Sequence, residues 1–505
     1  MSPSIGLSVD AQSSEPLYRQ IFDQVVDRVR TGAFPEGFRL PPTRSLARHL
    51  GTHRNTVVRA YEDLEAAGFV ESTVGRGTFV ARRLPSRPAP GGQARGELSF
   101  ASLFSRNATA ESLGRMDRLT RALRPGQQTG DAINMNRMQP SPDLIPDELI
   151  RRCVEHVLRT QGARILGYAD RPGVPKLRAL IARDLERQGV PATADDIVVT
   201  SGSQQALDVV ARALVNPGDA FLVNSATYHG AMNVLASAGA RLVPVPSDDE
   251  GPSMDALDRL SRAGAKGFYL MPNAHNPTGL TISEPRRDAL VAWSRRAGVP
   301  LIEDDYVADL VLDDGPHPSA LRARDADVIY IGTFSKRLAP AFRVGFLVCP
   351  AALRPRAMQL KHTMDLGNSE LLQHALAEFL ERGYLEAHLA RILPIYRDRR
   401  DALERALGRY LPRGVAWRRP SRGVALWLPL SVDPQAVFEE AQRRGVLVYP
   451  STLNEVEEGS AGGIRLTFCS EPPPRLAEGA RRLGKALGAL LGVSPAPEPA
   501  DIGTI

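Results

Sequence analysis

Cysteine is scarce in this chain: Cys153, Cys349 and Cys469 are the only three in 505 residues, far apart and odd in number. That excludes a disulfide framework and a CxxC metal site, and it suits a reducing compartment. No apolar run reaches the roughly 18 residues a membrane helix needs. Residues 1–16 hold no basic segment followed by an apolar core, so no secretory leader is read there and a cytoplasmic protein is expected. Lysine is absent from the first 87 residues, which carry twelve Arg against nine Asp plus Glu, a net of 12 − 9 = +3. Half of the formal charge of +6 therefore sits in the first sixth of the chain, a distribution compatible with nucleic acid. A hydrophobic share of 43% with 24% charged residues is that of a globular chain, long enough for one large core and a smaller appended unit.

In the N-terminal segment, Ile21, Val25 and Val29 recur every four residues between Pro16 and Gly32, which predicts an amphipathic helix. A short helix follows in PPTRSLARHLG, with Thr43 as its N-cap and Gly51 as its stop. Next comes HRNTVVRAYEDLEAAG, whose Val57, Tyr61 and Leu64 face inward and whose opening residues are polar or basic. Two helices joined by a glycine-containing turn, the second with its hydrogen-bonding residues at its start, can put side chains on base edges in a major groove. Residues 69–72 and 78–81 read as two strands around Gly75, Arg76 and Gly77, a wing able to reach a phosphate or a minor groove. Residues 82–97 are rich in Pro, Gly and Arg and read as a tether, with one helix expected over 113–123.

From about residue 134, apolar strands alternate with helical patterns for several hundred residues, which predicts a mostly parallel sheet covered on both faces. Ligands bind such sheets at the carboxyl ends of the strands. At one end, Ser201-Gly202-Ser203 leads into a helix beginning near Gln204, where free N–H groups and hydroxyls suit an anion. Elsewhere, the stretch YIGTFSKRLAPAFRVG presents Lys336 after a small-residue turn, a Schiff-base former if it is partly desolvated. Thr333, Ser335 and the Arg343 guanidinium around it would suit a phosphate dianion. A surface lysine in a polar loop would read the same way on this stretch alone. IEDDY places three acids in a row after a buried strand, and spacing does not choose among Glu303, Asp304 and Asp305.

Taken together, GTFSKR, RVG, NPTG and IEDDY resemble the cofactor segments of fold-type I pyridoxal-phosphate aminotransferases. LPPTRSLARHLG, RNTVVRAYEDLEAAGFV and GRGTFV resemble a GntR-type winged helix. The combination is similar to the MocR/GabR subfamily of GntR transcriptional regulators. The resemblance implies an N-terminal winged helix-turn-helix over residues 1–81 and a linker over 82–133. An α/β fold-type I PLP-dependent aminotransferase-like domain is implied over 134–492, and a disordered tail over 493–505. It assigns Arg44, Arg54, Asn55, Thr56, Arg59 and Arg76 to DNA, and Lys336 to covalent attachment of pyridoxal 5′-phosphate. Gly202, Ser203 and Gln204 join Thr333, Ser335 and Arg343 as the phosphate cup. Tyr228 is implied on the ring face, Asn276 and Tyr306 at the ring oxygen, and Asp304 at the ring nitrogen, with Glu303 and Asp305 as lesser candidates. Arg465 is implied as the carboxylate anchor of an amine or amino-acid effector. Tyr168 would reach the partner subunit's phosphate, which implies a homodimer in the bacterial cytoplasm, with no metal and no membrane.

The resemblance thus implies a regulator binding a double-stranded DNA operator and sensing an amine, an amino acid or the cofactor. The alternative is an active aminotransferase with an accessory DNA-binding domain; a repressor that keeps the fold without the cofactor is a third reading. Three departures from the family pattern stand out: Val58 where many relatives carry a basic residue, no glycine before the PDLIP run, and RGVALWL in place of GGxH. The last two are expected to border the ligand pocket.

Overall fold

The computed structural model describes residues 6–10, 16–73, 77–81, 132–260, 264–307, 309–315, 317–457, 459–460 and 462–493. Arg76, the tether, the helix expected over 113–123 and nearly all of the tail lie outside the described residues. The chain divides into two compact units, residues 1–100 and 101–505.

In the first unit, helix α1 (Leu17–Arg30) buries Ile21, Val25 and Val29, the positions that recur every four residues. Helices α2 (Thr43–His49) and α3 (Arg54–Ala66) pack Leu46, Ala47, Val57, Ala60 and Leu64 into the same core. Thr43 does not cap α2; Pro42 takes that place and Thr43 is the first helical residue. Two consecutive prolines hold the backbone extended up to residue 42, so helical geometry starts one residue later than the threonine suggested. The Tyr61 hydroxyl donates to the Pro41 carbonyl at 2.9 Å and ties α3 to this turn. Strands β1 (Val70–Thr73) and β2 (Gly77–Val80) pair antiparallel, Val70 opposite Val80, and form the wing.

The second unit is built on a seven-stranded sheet. Its strands are β3 (Ile197–Thr200), β4 (Ala220–Asn224), β5 (Arg241–Val245), β6 (Phe268–Leu270), β7 (Leu301–Asp305), β8 (Ile329–Thr333) and β9 (Gly345–Val348). Their spatial order is β3-β9-β8-β7-β6-β4-β5. All neighbours run parallel except β9, which is antiparallel to both β8 and β3. Apolar clusters cover both faces, which is why the strands read as continuous apolar runs rather than alternating ones. A smaller three-stranded sheet near the C-terminus was not foreseen: β10 (Ala425–Pro429), β11 (Tyr449–Pro450) and β12 (Gly463–Thr467), in the order β10-β12-β11. It packs with a 27-residue helix over Tyr384–Tyr410 and the final helix Pro473–Leu491 in one core.

Where β9 passes between β3 and β8, backbones approach closely. A Cβ on Gly345 would lie 2.7 Å from the Gly202 carbonyl carbon and 2.9 Å from the Gly332 oxygen. Both obstacles are main chain and cannot swing aside. Gly345→Ala is therefore expected to destabilise the second unit by about 1–3 kcal/mol, the usual cost of overpacking, measured as a lowered denaturant midpoint.

Candidate functional site

Strand ends and one helix start converge on a cavity of about 270 Å³ whose lining includes Lys336, Asp304, Tyr228, Asn276, Arg343 and Arg465. Ser203, Gln204, Tyr306, Thr333 and Ser335 line it too, so these eleven expected residues, far apart in sequence, share one space. Gly202 lies at its edge, in contact range of Arg343. Sequence reasoning did not name Met138, His229, Met271 and Pro340, which complete the wall. The signal for His229 was available: it follows Tyr228 as the first residue of a helix, His229–Ser237.

Lys336 follows β8 by three residues and lines the cavity. Its Nζ donates to the Met138 carbonyl at 2.5 Å. Burial lowers its pKa below the usual 10.5, and the nearby Arg465 and Arg343 guanidinium groups lower it further against an opposing pull from Cys469. A desolvated amine beside cations is readily deprotonated, as a nucleophile requires.

Strand alternation settles which acid faces this amine. Successive side chains on β7 point to opposite faces, and only Asp304 of the three lines the cavity. Glu303 is turned away and accepts from the Leu321 and Arg322 N–H groups at 3.1 and 2.9 Å. Asp305 accepts from Asn273 Nδ2 at 2.9 Å and from the Tyr330 hydroxyl at 3.2 Å. Asp304 Oδ2 accepts from the Tyr269 hydroxyl at 2.7 Å, while Oδ1 is buried with no partner among the described residues. Burial pushes Asp304 up to about 7; the Tyr269 hydrogen bond opposes this and the charge of Asp305 adds to it.

The anion cradle has three parts. Helix α4 (Ser203–Leu214) starts without any side-chain cap on its first turn, with Gly202 before it at φ +90. A Cβ on Gly202 would sit 2.9 Å from Arg343 Nη2, so only glycine lets that guanidinium approach. Arg343 donates to the Ser201 carbonyl at 3.0 Å, and the Thr333 hydroxyl donates to Ser335 Oγ at 3.0 Å. Gln204 spends its side chain locally, donating to the Gly230 carbonyl at 2.9 Å and accepting from the Tyr228 hydroxyl at 3.3 Å. Its backbone N–H is what remains for an anion.

On the opposite wall, Arg465 lies on β12 and donates to Asn276 Oδ1 at 2.7 Å and to the Asn136 carbonyl at 3.0 Å. Its guanidinium stacks 4.1 Å over the Tyr449 ring. The Tyr306 hydroxyl donates to the Ala274 carbonyl at 2.6 Å. Tyr168 is not in the cavity: it is 84% exposed, with Leu166 at 64% nearby in sequence. The RGVALWL segment does not border the cavity either. Arg422 lines a separate crevice behind β7, because the turn before β10 approaches the sheet from that side. Met138, from the other departing segment, does line the cavity.

In the first unit Arg44, Arg54, Asn55 and Arg59 are exposed on α2 and α3 and Thr56 is half-buried. The Arg59 guanidinium lies 4.0 Å over the Tyr18 ring of α1, which orients it.

Fold and site define a winged helix joined to an aminotransferase-type domain. Residues 133–483 match the family described as aminotransferase class I and II, and residues 17–80 match the bacterial regulatory proteins of the gntR family. The uncharacterized HTH-type transcriptional regulator YisV of Bacillus subtilis is 30% identical, over 90% of this chain and 93% of its own. The probable rhizopine catabolism regulatory protein MocR of Rhizobium meliloti is 30% identical over 96% of both. Among solved structures, LysN of Thermus thermophilus, an alpha-aminoadipate aminotransferase complexed with N-(5′-phosphopyridoxyl)-L-leucine, superposes with a TM-score of 0.70. It is 29% identical and covers 78% of this chain and all of its own. The chain belongs to the MocR/GabR group of GntR regulators, a DNA-binding module fused to an aminotransferase class I and II domain. Membership brings pyridoxal 5′-phosphate as the cofactor. The residues fit it: an orphaned carboxylate oxygen on Asp304 for a ring N–H, an uncapped helix start and glycine turn for a phosphate, and a desolvated amine for an aldehyde.

Arg54→Ala or Arg44→Ala is expected to weaken binding to duplex DNA from the region upstream of the chain's own gene by roughly 1–3 kcal/mol, whereas the exposed Glu62→Ala leaves it unchanged. Fluorescence anisotropy at fixed salt measures this.

Proposed function

We propose that this protein is a homodimeric, cytoplasmic transcriptional regulator that holds pyridoxal 5′-phosphate on Lys336 and responds to an amine, an amino acid or the cofactor itself. The observation that carries the reading is the meeting of Lys336, Asp304, the glycine turn and Arg465 in one cavity of a chain that also bears a winged helix. When bound, the cofactor supplies an aldehyde that captures amines and a ring that accepts electron density.

The chain's own residues supply everything else. Lys336 offers an amine that burial and the neighbouring guanidinium groups make easier to deprotonate than an ordinary lysine. Asp304 would accept the ring N–H, and a cation there would favour its ionised form and offset its burial. Gly202, Ser203 and Gln204 offer first-turn N–H groups, and Thr333, Ser335 and Arg343 add hydroxyls and a charge, to hold the phosphate. Tyr228 would cover one ring face, and Asn276 and Tyr306 would hold the ring oxygen. Arg465 takes a carboxylate with its guanidinium fork, held in place by Asn276, Asn136 and the Tyr449 ring.

Exposure of Tyr168 and Leu166 supports the dimer. A tyrosine and leucine at 84% and 64% exposure on a domain of this size mark a surface that a second copy would cover. An effector then regulates only through its differential affinity for two arrangements of that dimer. A second reading, an aminotransferase that turns over, is favoured by the completeness of the cavity: amine, carboxylate, anion cradle and guanidinium are all present. Keto-acid formation from the responding amine separates the two; the regulator reading predicts at most one half-reaction per chain.

Lys336→Ala is expected to bind operator DNA but to lose both covalent cofactor and the effector response of a reporter promoter. A normal response would sink the coupling. Cofactor capture by the apoprotein is expected to speed up as pH rises and to level off below pH 10.5, since the amine's pKa is depressed. Arg465→Met should move that plateau to higher pH, because removing a nearby cation makes Lys336 easier to protonate; stopped-flow absorbance reads both.

A further inference from the structure

Behind the carboxylate that faces the cofactor lies a second space. Asp304 and Asp305 point to opposite sides of β7, and while the first lines the cofactor cavity, the second lines a crevice of about 370 Å³. Its floor is made by Asp305, Arg422 and Asn273, at 5%, 8% and 2% exposure, and its rim by Gln188, His317 and Ser319.

The floor is charged and incompletely satisfied. Asp305 uses Oδ2 for Asn273 and Tyr330, and its buried Oδ1 has no partner among the described residues. Asp309, also on the wall, spends Oδ2 on Arg337 Nη1 at 2.8 Å and leaves a buried Oδ1 open. The Arg422 side chain makes no hydrogen bond or ion pair among the described residues, and its buried Nε is unpartnered. Arg422 is near enough to Asp305 to act on it through space, yet the two groups do not join. A guanidinium lacking an acceptor and two carboxylates each with one oxygen lacking a donor, nine-tenths or more buried at Asp305 and Arg422, are costly when left so. One occupant would satisfy both needs if it carried an anionic and a cationic end a few bonds apart.

We infer that this crevice is a second ligand site for a zwitterionic amino acid, its carboxylate on Arg422 and its ammonium between Asp305 and Asp309. The planar guanidinium suits a carboxylate, and two carboxylates can share the three N–H donors of an ammonium group. The volume accommodates a small amino acid, and the half-open rim gives a way in. Asp305 is chain neighbour to Asp304 and its charge acts on it, so an amino acid in the crevice alters the carboxylate that faces the cofactor without entering the cofactor cavity. The site goes beyond the sensing role proposed for Lys336 and Arg465 and is built from different residues.

The test uses full-length holoprotein reduced with borohydride, which fixes the cofactor on Lys336 and closes the main cavity to amines. The chain's mass verifies the fixation, so a failure of the cofactor reading is seen before any titration. Calorimetric titration with L-alanine, L-glutamate, L-lysine and 4-aminobutyrate is expected to show one saturable site per chain for at least one of them. Acetate and methylamine, the separated halves, should not compete at the same concentration. Arg422→Met should weaken binding at least tenfold and abolish the shift in cofactor absorbance on saturation, and Arg465→Met should change neither. Ser319→Trp, which fills the rim and leaves the buried charges in place, should also abolish binding and covers the case in which Arg422→Met does not fold. No saturable binding by any of the four, or binding of equal strength in both crevice variants, would overturn the site and leave a water-filled crevice.

Discussion

Three consecutive carboxylates, Glu303, Asp304 and Asp305, are buried at the end of a central strand, and much of the second unit is arranged around making that tolerable. Removing a carboxylate from water costs several kcal/mol even after relaxation, and like charges adjacent in sequence raise that cost. Each acid meets it differently. Glu303 accepts two N–H groups at the start of the short helix Leu321–Arg324, and Asp305 takes an amide and a phenol. Asp304 has one phenol and one buried oxygen with no partner among the described residues, and it alone of the three lines the cofactor cavity, so it is the acid left with capacity for a ligand there. Strand alternation does the sorting: the odd positions face away from the lysine, and the even one faces it.

The second constraint is close approach. Gly202, Gly332 and Gly345 let β3, β8 and β9 bring the helix start, the Thr333 hydroxyl and Arg343 within reach of one another. Arg343 itself sits in the left-handed region at φ 49, held there by the turn out of Pro340–Phe342. A strained arginine against an unsubstituted backbone is a geometry with little tolerance for a methyl group. The anion cradle therefore depends on what three positions lack rather than on what they carry.

The same lysine that motivates the functional reading is conspicuous by rarity, one of only five in the chain: Lys176, Lys266, Lys336, Lys361 and Lys485. Much of the fold around it was legible: strands and helices alternate as the apolar pattern from about residue 134 suggested, and the helix expected near Gln204 begins at Ser203. The first unit was legible too: α1 from a period of four, α2 from its glycine stop, α3 from its inward-facing apolar residues and the wing from two short strands around a glycine-rich turn. Less legible was the C-terminal sheet, whose short strands pair residues tens of positions apart and carry no distinctive period. Met138 and Met271 escaped because an apolar residue looks the same in a core and in a cavity wall. The RGVALWL segment was placed at the wrong space, since nothing local says from which side of a sheet a turn approaches.

By itself, then, the order of residues determined the two-part architecture, the winged helix and the alternating body, and it singled out Lys336 as the candidate amine. These rest on local rules: helical and strand periods, glycine and proline stops, and a small-residue turn ahead of a lysine. The tertiary structure alone decided which of three adjacent acids faces that amine, and that Arg465 and Asn276, 189 positions apart, share a hydrogen bond. It alone left Arg422 and Asp305 facing a common crevice without a bond between them. Such choices are matters of direction and long-range contact, and they come into being only when the sheet has formed and its two faces are distinct.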